Sequence, residues 1–337
     1  MQNQIKKQLL SEFKGKKILV TGGTGSIGAG IVEQLLKYKP NSIRVLSNDP
    51  NSIFKMKKKF PNVSNLTFMV GDIRDFDRMK LVTRKIDIVF HAAAIKHTDI
   101  CDQDPFDTAK TNVIGTGNTI ESSILANVSK FIFISTDKAA NPSSTLGSSK
   151  LFAENITRNA STYNGSVKTK FAVVRVGNFL GSTESIFQIF CEQLKKGNPL
   201  SISNPNMTRF AMSISEMASL ILKATHVAKD GEIFVLKMPS VNVLNLAKIV
   251  MNIYKSRNSK SKTVPIKISK VRGKEQLHEF LISPTEIPFC YDTNTMYKIS
   301  KEESKKKIST KDFSSETAEK ITEVKLKKII NELLDEV

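Results

Sequence analysis

Apolar and polar positions along the first half of this chain fall into blocks whose period changes in a regular order. Residues 17–20 (KILV) form a short apolar run, and apolar positions then recur at helical spacing over 26–37. The first pattern suits a buried strand and the second an amphipathic helix. The pair repeats. Further strands are predicted at 42–46, 66–70, 87–91, 130–135 and 171–176, and helices at 53–59, 108–126 and 146–163. A short polar helix is predicted ahead of them at 2–13. Strand alternating with helix predicts an α/β fold with a parallel sheet covered on both faces, and right-handed crossovers make it doubly wound.

Beyond residue 177 the rhythm breaks. Helices are predicted at 184–196, 213–227 and 243–254 and strands at 232–236 and 265–271, with a loop at 204–210 (NPNMTRF). From 283 onward Pro284, Pro288 and scattered polar residues predict an irregular segment before a last helix at 316–334. These pieces are too broken for a large core of their own. They read as a smaller lobe, 179–337, packed at the carboxyl end of the sheet of domain 1–178, where such folds bind ligands. Some of its strands and helices are expected to return to the first domain.

Composition narrows the class without naming it. At 337 residues, 40% hydrophobic and 25% charged, the chain is not globally disordered. It lacks an apolar run long enough to insert into a membrane, and its start lacks a signal peptide's pattern, so a cytoplasmic protein is expected. Cys101, Cys191 and Cys290 lie far apart, and with only four histidines no metal site is expected. The net charge of +19 suits phosphorylated ligands, anionic surfaces or nucleic acid. The basic runs carry no interleaved aromatics, so nucleic acid is not an expected partner. A solvated basic surface explains most of the charge.

The stretch 18–28 (ILVTGGTGSIG) combines a strand, a glycine-rich turn and a helix start. Gly22, Gly25 and Gly28 are spaced by three, and Gly23, Gly25 and Gly28 also satisfy G-x-G-x-x-G. Glycine is needed because the backbone must turn tightly and approach a pyrophosphate at a helix N-terminus. Thr24, Ser26 and Ile27 fill the same loop. Placed after the first strand of a strand–helix series, the motif predicts a Rossmann dinucleotide site. At the end of the second strand stand Ser47 and Asn48, with Asp49 only after them. The absence of a carboxylate in the first position favours NADP slightly, with NAD the alternative, and Lys55 or Arg44 would serve the 2′-phosphate. Asp72 and Ile73 suit the adenine, and Ala92 and Ala93 are small enough for the cofactor to pass.

Residues 131–138 (FIFISTDK) end a buried strand with a hydroxyl, an acid and a base, and Lys150 follows twelve residues later in a helix. Together with 21–28, 71–75 (GDIRD), 90–97 (FHAAAIKH), 135–142 (STDKAANP), 174–178 (VRVGN), 207–210 (MTRF) and 272–279 (RGKEQLHE), these residues resemble the extended short-chain dehydrogenase/reductase family. Within it, the chain resembles the UDP-N-acetylglucosamine 4,6-dehydratases that invert C5 and serve surface-glycan synthesis. The resemblance implies a UDP-sugar substrate whose C4 hydride goes to the cofactor and returns at C6. It implies Lys138 as the C5 base, Asp137 as the C6 acid, and a neutral lysine beside a protonated aspartate as the working pair. A C5-retaining enzyme would be expected to carry glutamate in place of Lys138. The resemblance further implies that Lys150 holds the nicotinamide ribose, Lys96 and His97 lie near the sugar and cofactor, Asn178 contacts substrate, and Arg209 and Arg272 meet the diphosphate.

One position departs from the family's Tyr-x-x-x-Lys, which here reads Leu146-Gly-Ser-Ser-Lys150. Leucine has no proton to exchange, and Tyr163 would lie ~20 Å further along the same helix. Capsule-type relatives carry methionine there, so Thr136, Asp137 or Lys138 would take the C4 proton instead. The run 272–279 also departs from the family's loop. A nucleotide-sugar 4-epimerase and a catalytically silent NADP(H)-binding protein are the competing readings. A homo-oligomer pairing helices 108–126 and 146–163 is expected.

Overall fold

A computed structural model describes residues 2–163, 165, 168–181, 185–258, 263–269, 275–304, 308–310 and 313–335. Thirteen strands follow in chain order. They are β1 (Lys17–Thr21), β2 (Ser42–Ser47), β3 (Leu66–Val70), β4 (Ile88–His91), β5 (Lys130–Thr136), β6 (Lys170–Val176) and β7 (Leu200–Ile202), then β8 (Thr208–Phe210), β9 (Glu232–Leu236), β10 (Ser240–Asn242), β11 (Ile266–Ile268), β12 (Cys290–Asp292) and β13 (Met296–Ile299). Nine of them make one sheet in the order β12-β13-β9-β6-β5-β4-β1-β2-β3. The strands from β3 across to β9 run parallel, and β13 and β12 close the edge antiparallel. The doubly wound sheet is therefore present. Chain order reverses between β1 and β4, which opens a crevice at their carboxyl ends.

The inner strands are apolar without alternation because both of their faces are covered. All four residues of β4 are buried, as are Phe131–Ile134 in β5 and all but the first residue of β6. One covering layer pairs the helices Ser26–Leu36 and Ile214–Val227 closely. A Cβ at Gly30 would lie 2.4 Å from Ile214 Cγ2, so only glycine permits that approach.

The structure redraws several expected elements. From beyond residue 178, β9, β13 and β12 are the strands that extend the main sheet. The segment expected to be irregular from 283 instead forms this hairpin, turning at Asn294 with φ +69°, after Pro284 and Pro288 are spent in the tight helical turn Pro284–Phe289. Two short helices, Phe76–Val82 and Thr98–Gln103, escape a periodicity reading because neither completes two full turns. The single helix expected over 108–126 is Pro105–Ala109, a wide π-turn at Lys110–Ile114, and Gly115–Leu125. The final helix starts later than expected, at Glu323. The strand expected at 265–271 spans Ile266–Ile268, with 270–271 outside the described residues.

The smaller lobe contains the helices Ile186–Lys195, Val243–Arg257 and Glu323–Asp335 and the strand pairs β7–β11 and β8–β10. Its apolar cluster, including Phe187, Phe190, Leu246, Val250 and Ile330, is separate from the sheet's core. Where the sequence expects copies to pair, Ile114, Leu125 and Phe152 are exposed. Among the described residues no helix is long and apolar enough to cross a membrane.

Candidate active site

The carboxyl ends of β1, β4, β5 and β6 open on a cleft of about 1200 Å³ that extends to the smaller lobe. At one end, β1 turns into the helix Ser26–Leu36 through Gly22, whose φ is +62°. A Cβ on Gly22 would lie 2.7 Å from the Ala93 backbone, and one on Gly28 would lie 2.3 Å from Gly22 O. Gly25 sits at the N-cap and brings no side-chain acceptor to the helix start, the end of a helix that favours an anion. The loop has the shape of a pyrophosphate cradle, on its own geometry. Thr24, Ser26, Ile27, Ala92 and Ala93 line it.

Ser47 and Asn48 line the next part of the cleft, and Thr24 Oγ1 donates to Ser47 Oγ at 2.9 Å. Asp49 lies at the rim, but its carboxylate caps the helix Pro50–Lys59, accepting from the Asn51 and Ser52 N–H groups and the Ser52 hydroxyl. These bonds, the Ser52 hydroxyl first, hold its pKa below the usual value. Arg44 is removed from the candidates for a 2′-phosphate. Its guanidinium donates to Val82 O and, at 3.3 Å, to Arg84 O, away from the cleft. Lys55 does not line the cleft either. Asp72 and Ile73 do, and Asp72 is clasped by Arg74 at 2.7 Å. Burial opposes the Asp72 charge, yet the Arg74 guanidinium and N–H outweigh it and lower the pKa.

Beneath the cleft floor, His91 is fully buried between Thr21 and Thr116. Thr116 donates to Asn112 O, so it accepts from His91 Nε2–H, and His91 Nδ1 accepts from the Thr21 hydroxyl at 2.7 Å. Burial, aided by Lys150, brings its pKa to about 3 and keeps the ring neutral. The π-turn at Lys110–Ile114 aims Asn112 at the loop after β4, where its amide bonds Ile95 N at 2.8 Å and Ile95 O at 3.1 Å. The same amide donates to Ser149 Oγ at 3.0 Å, tying that loop to the helix Thr145–Asn159. A π-turn at a functional site is a recurring device. Lys96 and His97 follow and line the cleft.

Thr136, Asp137 and Lys138 lie where β5 ends in a tight turn. The Thr136 hydroxyl donates to Asp137 Oδ1 at 2.6 Å, and the Lys138 N–H donates to the same oxygen at 3.0 Å. Asp137 Oδ2 is buried without a partner in the described structure. Helix Thr145–Asn159 abuts this turn because position 147 is glycine; a Cβ there would meet Lys138 O at 2.5 Å. That contact brings Leu146, 4% exposed, and Lys150 into the cleft wall one turn apart. Lys150 Nζ donates to Ile134 O at 2.7 Å and lies 4.1 Å from the Phe133 ring centroid. Burial pulls its pKa down to about 7 against the opposing charge of Glu154.

Opposite the turn stands a residue that the sequence reading omits from the site, Glu279. Its Oε1 accepts from Asn178 Nδ2 at 2.7 Å and faces Arg209 Nε at 3.4 Å and Lys138 Nζ at 4.0 Å. Lys138 also faces Asp137 at 3.5 Å. Burial alone would lower the Lys138 pKa, but the carboxylates of Asp137 and Glu279 raise it overall. This arrangement favours the ammonium, whereas the neutral lysine expected from the sequence is the form of the working pair. Glu279 gave one signal, its place at the end of the stretch 272–279, but nothing local announced its burial.

The cleft therefore gathers Gly22, Thr24, Gly25, Ser26, Ile27, Gly28, Ser47, Asn48, Asp72, Ile73, Ala92, Ala93, Lys96, His97, Thr136, Asp137, Lys138, Lys150, Asn178 and Arg209. Arg272 lies outside the described residues. Arg209 forms ion pairs with Glu275 at 3.1 Å and Glu279. A smaller cavity of about 270 Å³ adjoins at Asn178, Phe179, Arg209 and Glu275.

Residues 18–301 match the family described as polysaccharide biosynthesis protein. An uncharacterized membrane protein of Methanocaldococcus jannaschii is 44% identical over 95% of this chain and 97% of its own length. The UDP-N-acetylglucosamine 4,6-dehydratase (inverting) of Campylobacter jejuni is 36% identical over 86% of this chain and 84% of its own. The chain spans 46% of the length of the capsular polysaccharide biosynthesis protein CapD of Staphylococcus aureus, at 37% identity. Among solved structures, Pen from Bacillus thuringiensis superposes with a TM-score of 0.87 at 30% identity, covering 96% of this chain and 98% of that one.

Proposed function

The chain belongs to the polysaccharide biosynthesis protein family, and from that membership we propose that it is a nucleotide-sugar 4,6-dehydratase acting on UDP-N-acetylglucosamine with inversion at C5. The observation that carries this reading is the meeting of Thr136, Asp137 and Lys138 in one cleft with a pyrophosphate cradle. The C. jejuni relative of the same name supports the substrate and the stereochemistry.

The residues present fit a nicotinamide dinucleotide, because the cradle at Gly22 and Gly28 has room for backbone approach and none for a Cβ. Gly22–Gly28 would hold the pyrophosphate, Ser47 and Asn48 the adenosine ribose, Asp72 and Ile73 the adenine, and Ala92, Ala93, Lys96 and Lys150 the nicotinamide half. The group supplies a reversible hydride acceptor. NADP is preferred slightly, since Asp49, the carboxylate that follows β2, is engaged as a helix cap. The protein's own residues handle the protons. The Thr136 hydroxyl passes the C4 hydroxyl proton to Asp137, to which it already donates. Asp137 then gives that proton to the departing C6 hydroxyl, and Lys138 removes the proton from C5. Asn178 and Arg209 hold the substrate, and Lys96 and His97 flank the sugar.

Incubation of the purified protein with UDP-N-acetylglucosamine, followed by NMR, tests the reading. A 4-keto-6-deoxy product with inverted C5 is expected. A C4 epimer would make the protein an epimerase, and the absence of turnover with any UDP-sugar would leave a cofactor-binding protein. Identification of the dinucleotide released on denaturation reads the cofactor.

Leu146 acts in this scheme as an apolar wall beside Lys150. Leu146→Met, nearly volume-conserving, is expected to change the rate by less than about tenfold. Leu146→Tyr places a phenol one turn before Lys150 and is expected to leave activity unchanged or reduced. A gain of orders of magnitude in that variant would show that the natural chain lacks its C4 base.

A further inference from the structure

A dehydratase of this kind needs a free amine on Lys138, whereas the geometry around Lys138 favours the ammonium. The ammonium proton needs an acceptor. Asp137 Oδ1 is nearer, at 3.5 Å, but in this scheme the same carboxyl must carry the C4 proton to C6 and so does not take a second one. Glu279 remains. Its Oε1 faces Lys138 Nζ at 4.0 Å, and its Oε2 is buried without a partner in the described structure.

We propose that Glu279 takes the Lys138 ammonium proton when substrate covers the pair, leaving the free amine that abstracts the C5 proton. This rests on the dehydratase reading. An N–H bond breaks on Lys138, an O–H bond forms on the Glu279 carboxylate, and two opposite charges disappear together. Exclusion of water penalises both charges and drives the transfer. Removal of the C5 proton rebuilds the ammonium, and return of one proton to C5 as product forms restores the starting count.

The surroundings suit a carboxyl that changes state. The groups facing it are Lys138 and Asp137 from the turn after β5, Arg209 from β8, and Asn178 after β6. On its own segment, Glu275 is paired with Arg209, and His278 bonds Thr208 Oγ1 and faces Glu316. Burial and then the Asp137 charge raise the Glu279 pKa to about 7, against the pull of Arg209 and Lys138. Either protonation state is therefore accessible near neutrality.

Glu279→Gln keeps the shape and an oxygen for Asn178 but cannot take a proton. Product formation near pH 7 should fall roughly a hundredfold and recover at least about tenfold toward pH 9, where solvent deprotonates Lys138. Glu279→Asp should retain an intermediate rate with the wild-type profile, and it carries the test where the glutamine variant does not fold. An equal loss at every pH, or an unchanged profile, would assign Glu279 a purely structural part and overturn the proposal. A readout without turnover is the carboxyl ¹³C titration of the free protein. Glu279 should titrate near neutrality, and Lys138→Met should move it upward. Indifference of that titration to Lys138, in a protein that dehydrates the sugar, refutes this inference alone. The coupled titration without dehydration of any UDP-sugar refutes the functional reading, and with it the role in C5 abstraction, while leaving the pairing.

Discussion

Lys138→Ala is expected to lower formation of the 4-keto-6-deoxy product by roughly a thousandfold or more, the range set by losing a positioned proton acceptor. Lys150 is spent on Ile134 O and the Phe133 ring, and Arg209 cannot deprotonate. In the proposed scheme hydride removal at C4 precedes proton removal at C5, so a single turnover of the variant should still build up reduced cofactor absorbance and then stall. Asp137→Asn should stall one step earlier, without reduced cofactor, since in this scheme Asp137 receives the C4 proton through Thr136 before passing it to the C6 hydroxyl. Product at wild-type rate from Lys138→Ala would remove the lysine from the mechanism.

The second large effect concerns stability. Arg175 lies in β6 with no exposed surface, and its guanidinium is shared between two carboxylates. It bonds Glu154 at 2.6 and 3.1 Å, Glu286 at 2.8 and 2.9 Å, and Leu281 O at 2.9 Å. Burial disfavours each charge, but the mutual contacts raise the Arg175 pKa and lower that of Glu286. Arg175→Ala would strand Glu154 and Glu286 as unpaired charges beside a cavity, and breaking such a buried cluster costs about 3–5 kcal/mol. Urea denaturation should show that deficit near pH 7. It should shrink toward pH 5, because the stranded carboxyls gain protons in the variant's folded state and become neutral there. A midpoint like the wild type's would show that water reaches the site and solvates both acids. The cluster also reaches the cleft. Glu154 lies one turn beyond Lys150, and Leu281 lies two residues beyond Glu279, so lost activity in the variant would follow lost position.

Much of the cleft was legible because its parts are contiguous in the chain. Gly22 to Gly28 spells a turn that only glycine can make, and Thr136-Asp137-Lys138 carries a hydroxyl, an acid and a base where an apolar strand ends. Alternation of strand and helix up to Val176 gave the doubly wound sheet, since strands buried on both faces must be apolar throughout. The resemblance rests on the same local runs, so it carried Lys96, Asn178 and Arg209 with it. The engagement of Asp49 as a helix cap is something that its spacing after β2 did not contain.

What sequence alone determined about this protein is therefore its local chemistry and the period of its elements: which backbone can turn, which face is apolar, which functional groups end a strand. The tertiary structure decided which distant groups meet. It brought Glu279 within 4.0 Å of Lys138 across 141 residues of chain and moved the lysine toward its charged form. It placed Arg175 between Glu154 and Glu286, and it decided that β9, β13 and β12 are the strands that extend the main sheet. The physical reason is that the protonation of a buried group depends on burial and on charges a few ångströms away, and neither is encoded by its neighbours in the chain.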